Sequence, residues 1–452
     1  MAHVIAAVST GNQICAIGIL RMTGDGCAEI ADKVITLQCR LPISQAPNRK
    51  LMLGALHDIN GRIIDHCMVV YTKGPHSYTG EDTVEFHCHG SPAVLAAGLE
   101  ALFAAGAQPA KRGEFTKRAF LNGQLDLTQA EAVIDLIEAD SADAAANAAG
   151  QVGGLLQKKL LPVYAHLTDL CSHFHAVLDY PDEDIDDFHL GNYKTTLNHC
   201  AQTLNNLLQT YNQGRILRQG VSAAIVGKPN VGKSSLLNAL AGFDRVIVTD
   251  IAGTTRDTVE QTVMVGKTRM RLIDTAGIRE TADQIEAMGV QRSKEAVDQA
   301  DLVIFVCDGS QPLSQEDHQV IDVCLDKEKS IALINKSDMG HVVVPADLPF
   351  SVIIPICAKT GEGLELLADT IDLMFENDIP CDGSILTNTR QYDAIRRAHD
   401  AITQTIKDIA SITPDAVLIE VEQAMEAIGE VTGATVREDI TARIFERFCV
   451  GK

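Results

Sequence analysis

Gly227 and Gly232 stand at the two ends of a short loop that runs directly into Lys233 and Ser234. Glycines at that spacing let consecutive backbone N–H groups converge on one point. A cation and a hydroxyl follow, which is the chemistry of a phosphate cradle with a Mg²⁺ ligand beside it. The full run is Gly-Lys-Pro-Asn-Val-Gly-Lys-Ser (227–234). Within it Lys233 is placed to reach β and γ phosphates, and Ser234 to ligate Mg²⁺. Asn230, Val231, Gly232 and Ser235 complete the loop and the first turn after it.

Other motifs follow in a fixed order: Gly253-Thr254-Thr255-Arg256-Asp257, Asp274-Thr275-Ala276-Gly277, Asn335-Lys336-Ser337-Asp338 and Cys357-Ala358-Lys359. Asp274 ends an apolar run and is placed to meet Mg²⁺ directly or through water. Gly277 is placed to sense a γ phosphate. Asn335 and Asp338 end a second apolar run. A carboxylate at Asp338 accepts from the N1–H and 2-amino group of guanine, a pattern that adenine lacks, so the site selects GTP over ATP. Cys357 stands where Ser is usual, but this loop covers the base through its backbone. Such an ordered set specifies GTP binding and phosphoryl transfer to water. Ile278 occupies the position where many such enzymes carry a water-orienting Gln, and an apolar side chain cannot do that work. Glu286 is the natural replacement, against the alternative of a surface helix glutamate.

These loops require a parallel α/β framework to hold them. Residues 221–226 read as a strand and 234–241 as a helix, the context that validates the phosphate loop. Residues 270–273, 331–334 and 352–356 read as further strands, and 302–307 as a short buried one. Residues 219–376 thus form a G domain. The segment 1–120 alternates short apolar runs with Gly, Pro and Asn, with strands at 4–8, 16–20, 51–56 and 67–71 and a helix at 93–105. It reads as a small α+β domain. Residues 121–218 are helical, and 377–452 are helical again, chiefly 389–448. The G domain is therefore inserted into a helical domain built from both flanks. Leu156, Leu160, Val163, Leu167 and Leu170 share one helical face, and Pro162 predicts a kink or break there. The acidic run 179–187 reads as a solvated helix terminus.

The chain has 452 residues and a formal net charge of −22. Several domains are expected at that length. The charge opposes extensive direct contact with bare nucleic acid, because phosphate contacts need clustered Lys and Arg. No secretory leader and no membrane-spanning run is visible, so the scattered cysteines read as reduced thiols and the location as cytoplasmic. His87-Cys88-His89 resembles a metal cluster, but on a strand Cys88 faces away from both histidines.

The pattern as a whole resembles the tRNA-modification GTPase family called MnmE or TrmE. The resemblance rests on Gly18-Ile19-Leu20-Arg21, Ser77-Tyr78-Thr79-Gly80-Glu81-Asp82, Gly113-Glu114-Phe115 with Arg118-Ala119-Phe120-Leu121-Asn122, Asp126-Leu127-Thr128-Gln129-Ala130-Glu131-Ala132, the G-domain motifs, and the ending Arg443-Ile444-Phe445 followed by Phe448-Cys449-Val450-Gly451-Lys452. The family usually ends Cys-Ile-Gly-Lys, so Val450 is a conservative departure.

The resemblance implies an N-terminal domain that dimerises and binds a formyl-tetrahydrofolate-type donor. It implies a homodimer whose G domains meet across their nucleotides, with K⁺ stabilising the transition state. It also implies joint action with the FAD-dependent partner MnmG on carbon five of the tRNA wobble uridine, with tRNA held largely by the partner. By the same resemblance Asn230, Thr249, Ile251 and Thr254 surround K⁺, and Thr255 joins Ser234 on Mg²⁺. Asp250 and Ala252 join the nucleotide-contacting loop, and Glu286 orients the water. Arg256 and Arg279 then anchor the switches rather than act as arginine fingers. Arg21, Glu81, Gln124 and Lys452 match the folate pocket, with Gln124 where Lys is common. Cys449 is either a catalytic thiol or a pocket-lining one; the second is preferred, because a thiolate needs a pKa-lowering setting. An Era-like ribosome-assembly GTPase is the alternative reading, and a folate-binding scaffold is a third.

Overall fold

The computed structural model describes residues 3–11, 13–179, 190–243, 261–273, 294, 296–340, 342–376, 382–409, 411, 413–435 and 444–451. The acidic run beyond Asp179 lies outside them.

The N-terminal strands are β1 (Ile5–Val8), β2 (Cys15–Thr23), β3 (Ile35–Leu37), β4 (Met52–His57), β5 (Ile63–Thr72), β6 (Thr83–Gly90) and β7 (Gln108–Pro109). They form a seven-stranded sheet in the order β3-β4-β5-β6-β2-β1-β7. The helix Pro92–Ala105 lies on one face and buries Leu95, Ala101 and Leu102. Leu20, Met22, Leu56, Val69, Val84 and Phe86 belong to the same core. The alternation along β6 explains its burial: Val84, Phe86 and Cys88 face inward, as a period of two requires.

The helical domain begins with Leu127–Glu138, whose N-terminus carries a capping box of Asp126 and Gln129. It continues through Ala142–Val152, Leu155–Asp179, Leu190–Gln209 and Tyr211–Gln219, and resumes after the G domain with Thr389–Asp408 and Pro414–Thr432. Leu156, Leu160, Val163, Leu167 and Leu170 are all buried in one core. That core also contains Ile395, Ala398, Ile402, Val421 and Ile428 from the far side of the G domain. The two flanks therefore make one domain. Arg390 reinforces the closure by gripping both carboxylate oxygens of Glu131, at 2.9 and 2.8 Å. Pro162 does not break its helix, which runs on to Asp179. Pro162 and Lys158 are both exposed, so water can satisfy the carbonyl that a proline leaves unpaired.

The returning chain crosses the first flank closely. A Cβ added to Gly214 would lie 2.0 Å from the Leu386 carbonyl oxygen. Gly214→Ala is expected to push these segments apart at a cost of about 1–3 kcal/mol. The check is thermal unfolding followed by far-UV circular dichroism: the helical transition should move down while nucleotide affinity is retained. An unmoved transition would contradict the packing argument.

The G-domain strands are β8 (Val221–Val226), β9 (Gln261–Val265), β10 (Thr268–Ile273), β11 (Leu302–Asp308), β12 (Ser330–Asn335) and β13 (Ile353–Pro355). Their order is β13-β12-β11-β8-β10-β9. Alternate residues of β8 and β11 enter opposite cores: Val221, Ala223, Leu302 and Ile304 on one face, Ala224, Val226, Val303 and Phe305 on the other. The sheet is not wholly parallel, because β9 runs antiparallel to β10. Asp372 fixes the turn between them by accepting from the Lys267 N–H and from Thr268 Oγ1. Arg269 of β10 reaches Asp140 of the helical domain at 2.9 Å. No helix among the described residues is long and apolar enough to cross a membrane.

Candidate active site

The strand β8 is buried along its whole length and delivers the chain to Gly227 at the carboxyl edge of the sheet, where open α/β sheets bind ligands. Gly227 has φ 147°, and a Cβ there would lie 2.2 Å from the Val306 carbonyl oxygen. The loop then turns through Asn230 (φ 63°) and Gly232 (φ 101°) into the helix Lys233–Phe243. Ser234 and Ser235 open that helix on its exposed side. Lys233 Nζ is turned into the loop and donates to the carbonyls of Gly227 (2.5 Å) and Lys228 (2.9 Å). Burial lowers its pKa. The ammonium is thus held where a phosphate group enters, and arriving phosphate oxygens offset the desolvation.

Asn335 ties three loops together. Its Nδ2 donates to the Val231 carbonyl at 2.8 Å, and its Oδ1 accepts from the Ala358 N–H at 3.0 Å. A Cβ on Gly232 would lie 2.2 Å from Asn335 Nδ2, so only glycine lets the phosphate loop and the base loop meet. Cys357 is buried; its N–H donates to the Glu362 carbonyl, and its own carbonyl accepts from Thr360 and Gly361. That turn presents Ala358 and the exposed Lys359. Asp338 is exposed at the same edge, two residues beyond Lys336. The described part of the site therefore brings the phosphate loop, the guanine loop and the Cys357 loop together.

Thr249, Asp250, Ile251, Ala252, Gly253, Thr254, Thr255, Asp274, Thr275, Ala276, Gly277, Ile278, Arg279 and Glu286 lie outside the described residues, as does Arg256. β10 ends at Ile273, immediately before Asp274.

A second polar cluster sits on the N-terminal sheet. Arg21 Nε donates to Glu85 Oε1 at 2.7 Å across the β2–β6 pair. Its guanidinium carbon lies 5.7 Å from the Tyr78 ring centre and 5.8 Å from that of Phe115. Glu81 accepts from Arg118 at 2.9 Å. Gln124 is exposed, and a Cβ on the neighbouring Gly80 would lie 3.3 Å from its side-chain nitrogen. The chain end approaches the adjoining strand: Ser9 Oγ donates to the Gly451 carbonyl at 2.9 Å, and Val450 bridges Arg112. Lys452 itself lies outside the described residues. Cys449 is exposed, and its carbonyl accepts from the Gly113 N–H.

The N-terminal family described as GTP-binding protein TrmE N-terminus matches residues 4–124, and the MnmE helical domain family matches residues 127–449. The tRNA modification GTPase MnmE of Clostridioides difficile (strain 630) is 39% identical over 455 residues, 99% of this chain and 99% of the relative. The protein of the same name from Aquifex aeolicus (strain VF5) is 38% identical over 454 residues, covering 100% of both chains. The chain belongs to the MnmE family.

With the nucleotide loops above, membership makes the chain a GTP hydrolase whose G domain is inserted in a helical domain behind an N-terminal α+β domain. The structure adds partners that the MnmE motifs do not specify. Arg118 is nearly buried and holds Glu81, Glu114 (3.0 Å) and the His3 carbonyl (3.1 Å). Asp317 is 1% exposed and accepts from Lys228 Nζ of the phosphate loop at 2.8 Å. It also caps the helix Gln315–Leu325 together with Ser314. The signal for Asp317 was the Ser-x-x-Asp spacing of a capping box; Arg118 stands in the Arg-Ala-Phe-Leu-Asn motif, which gives it no partner.

His87-Cys88-His89 lies on β6 with Cys88 buried and His89 exposed. Among the described residues no group of three or more His, Cys, Asp or Glu is poised to hold a metal. Every described cysteine is free.

Proposed function

We propose that this GTPase modifies tRNA as a potassium-activated homodimer in the cytoplasm. With the FAD-dependent partner MnmG it places an aminomethyl or carboxymethylaminomethyl group on carbon five of the wobble uridine. The observation that carries this reading is the joining of three parts in one chain. A guanine-nucleotide site is inserted in a helical domain, and that domain's C-terminal tail reaches the strand beside Arg21 through Ser9 and Gly451. Relatives matching the whole length are named tRNA modification GTPases. The net charge of −22 favours tRNA contact largely through the partner.

In this reading Lys233 and the backbone of the phosphate loop bind the phosphates, and Asp338 reads the base. Ser234 and Thr255 hold Mg²⁺ through hydroxyl oxygens, the hard donors that ion prefers. Asn230, Thr249, Ile251 and Thr254 offer neutral oxygens of the kind that suits K⁺. Asn230 is described, exposed and held at φ 63° in the loop. The two cations supply positive charge where negative charge develops on the transferring phosphoryl group. Glu286 orients the attacking water.

At the N-terminal cluster, Glu81 can accept from the amino and ring N–H groups of a pterin. Arg21 meets the anionic tail, and Gln124 and Lys452 add a hydrogen bond and a charge. Arg21 beside Tyr78 and Phe115 and Glu81 beside Arg118 give the cluster the mixed aromatic and ionic character such a ligand needs. A formyl-tetrahydrofolate-type donor supplies the one-carbon unit when bound.

Turnover should fall by on the order of 10²-fold when Na⁺ replaces K⁺, by analogy with loss of one preorganised charge-stabilising group. Glu286→Ala should remove hydrolysis while leaving GTP affinity near native. Steady-state phosphate release and equilibrium binding check both. Equal rates in the two salts would sink the potassium role, and retained turnover in Glu286→Ala would return that residue to the protein surface.

A further inference from the structure

The guanine-reading loop is propped from behind by the end of β11. In the parallel register of β11 and β12, Asp308 stands opposite Asn335. Beyond it the Gly309 N–H donates to the Asn335 carbonyl at 2.8 Å, and the Gly309 carbonyl accepts from the Val342 N–H at 2.8 Å. Both ends of the loop that contains Asp338 are therefore bound to Gly309. A Cβ on Gly309 would lie 2.7 Å from Ile334 Cγ2, so the Gly309 turn packs directly on the end of β12.

Asp308 adds an ionic bond to this support. Its Oδ2 accepts from Lys336 Nζ at 2.6 Å, and its Oδ1 accepts from the Ser310 N–H (3.0 Å) and hydroxyl (2.6 Å). The carboxylate is 6% exposed. Burial alone raises a carboxyl pKa, but here the bonds from Lys336 and Ser310 outweigh it and hold Asp308 below the usual range. Lys336 has φ 65° and ψ 39°, a left-handed conformation that a lysine backbone seldom adopts without constraint. The reversal at Lys336 leads into the short turn Ser337–Met339, which carries Asp338. Among the described residues the acid that meets Lys336 is Asp308.

We propose that Asp308 is a positioning residue for guanine selection: by holding Lys336 it fixes the left-handed turn that sets Asp338 against the base edge. Asp308 does not touch the nucleotide; it acts through Lys336. The inference rests on Asp338 being the residue that reads guanine.

The base edge supplies a test that simple loss of stability cannot imitate. GDP offers Asp338 both N1–H and the 2-amino group, whereas IDP keeps only N1–H. A correctly placed Asp338 therefore prefers GDP, and a displaced one loses that preference first. In the full-length protein, Asp308→Asn keeps the shape and can still accept from Ser310, but it lacks the charge that holds Lys336. Equilibrium binding of GDP and IDP should show the GDP preference falling by about tenfold, with IDP affinity falling by less than GDP affinity, because IDP has one bond to Asp338 to lose and GDP has two. Lys336→Met breaks the same bond from its half-buried end and should lower the ratio similarly, while Ser310→Ala should leave it near native. An unchanged ratio in Asp308→Asn, or equal losses for both nucleotides, would overturn the role given to Asp308. A native protein that binds GDP and IDP equally would instead overturn the guanine reading of Asp338, and the inference with it.

Discussion

Lys233→Ala is expected to reduce GTP turnover by on the order of 10³-fold, the effect of removing a group aimed at charge that grows in the transition state. Lys233 starts the helix that leaves the phosphate loop, and its ammonium is held by two carbonyls of that same loop. The group is therefore placed before nucleotide arrives, and burial has already lowered its pKa. Phosphate oxygens give the buried cation a counter-charge, so its stabilisation is strongest when negative charge is greatest. Alanine removes that charge and leaves the loop carbonyls facing the phosphates. Single-turnover hydrolysis at saturating GTP is the appropriate measurement, with thermal unfolding as the control for folding. A rate within tenfold of native would show that the loop backbone alone is sufficient and that Lys233 has another role.

Asp338→Asn should change which base is accepted. In the proposed reading the native carboxylate takes two donors from guanine. An asparagine accepts one and presents an N–H₂ group to the other, so two donors face each other. Once a bound base covers the exposed Asp338 position, a mismatch of this kind costs affinity by up to about 10⁴-fold. Xanthine carries a carbonyl where guanine has its 2-amino group, so the same asparagine pairs with it. Competition binding with GDP and XDP should therefore show GDP affinity collapsing and XDP affinity appearing. Asn335 stays bonded to Val231 and Ala358, so the rest of the site keeps its form. Undiminished GDP affinity would place the base elsewhere.

The phosphate, Asn335 and Cys357 loops, the three that the structure describes, stand out in the sequence because their residue types recur at set spacings along the chain. Gly232 had to be small and conformationally free, and the structure gives the reason in its approach to Asn335. The hidden partners are those that depend on register or on distant segments. Lys336 and Asp308 meet because β11 and β12 run parallel in one particular alignment. Ser9 and Gly451 meet across almost the whole sequence, and no local pattern announces such a contact. The antiparallel pairing of β9 does have a local signal. Only Gly266 and Lys267 separate β9 from β10, and parallel neighbours need a crossover of about a dozen residues or more. Pro162 misled in the other direction. Proline disrupts a helix through an unpaired carbonyl and a steric clash, and on a solvent-facing side the first of these is answered by water. The short β3 escaped because three residues carry too little alternation to register.

The potassium, folate and partner assignments stand on the resemblance together with the described cluster around Arg21, Glu81 and Gln124. The segments from Asp250 to Thr255 and from Asp274 to Glu286 enter only through their sequence. Their tests are accordingly kinetic, and they are separable from the tests of the base loop.

The central claim is that GTP hydrolysis by this chain serves tRNA wobble-uridine modification. Mass spectrometry of tRNA nucleosides from cells lacking the protein tests it most directly. Loss of the carbon-five aminomethyl-type uridines is expected, restored by the native gene and not by Lys233→Ala or Glu286→Ala. An unchanged nucleoside profile would contradict it. The GTPase would then stand without its tRNA role, and assembly of ribosomal particles, the Era-like alternative, would become the leading reading.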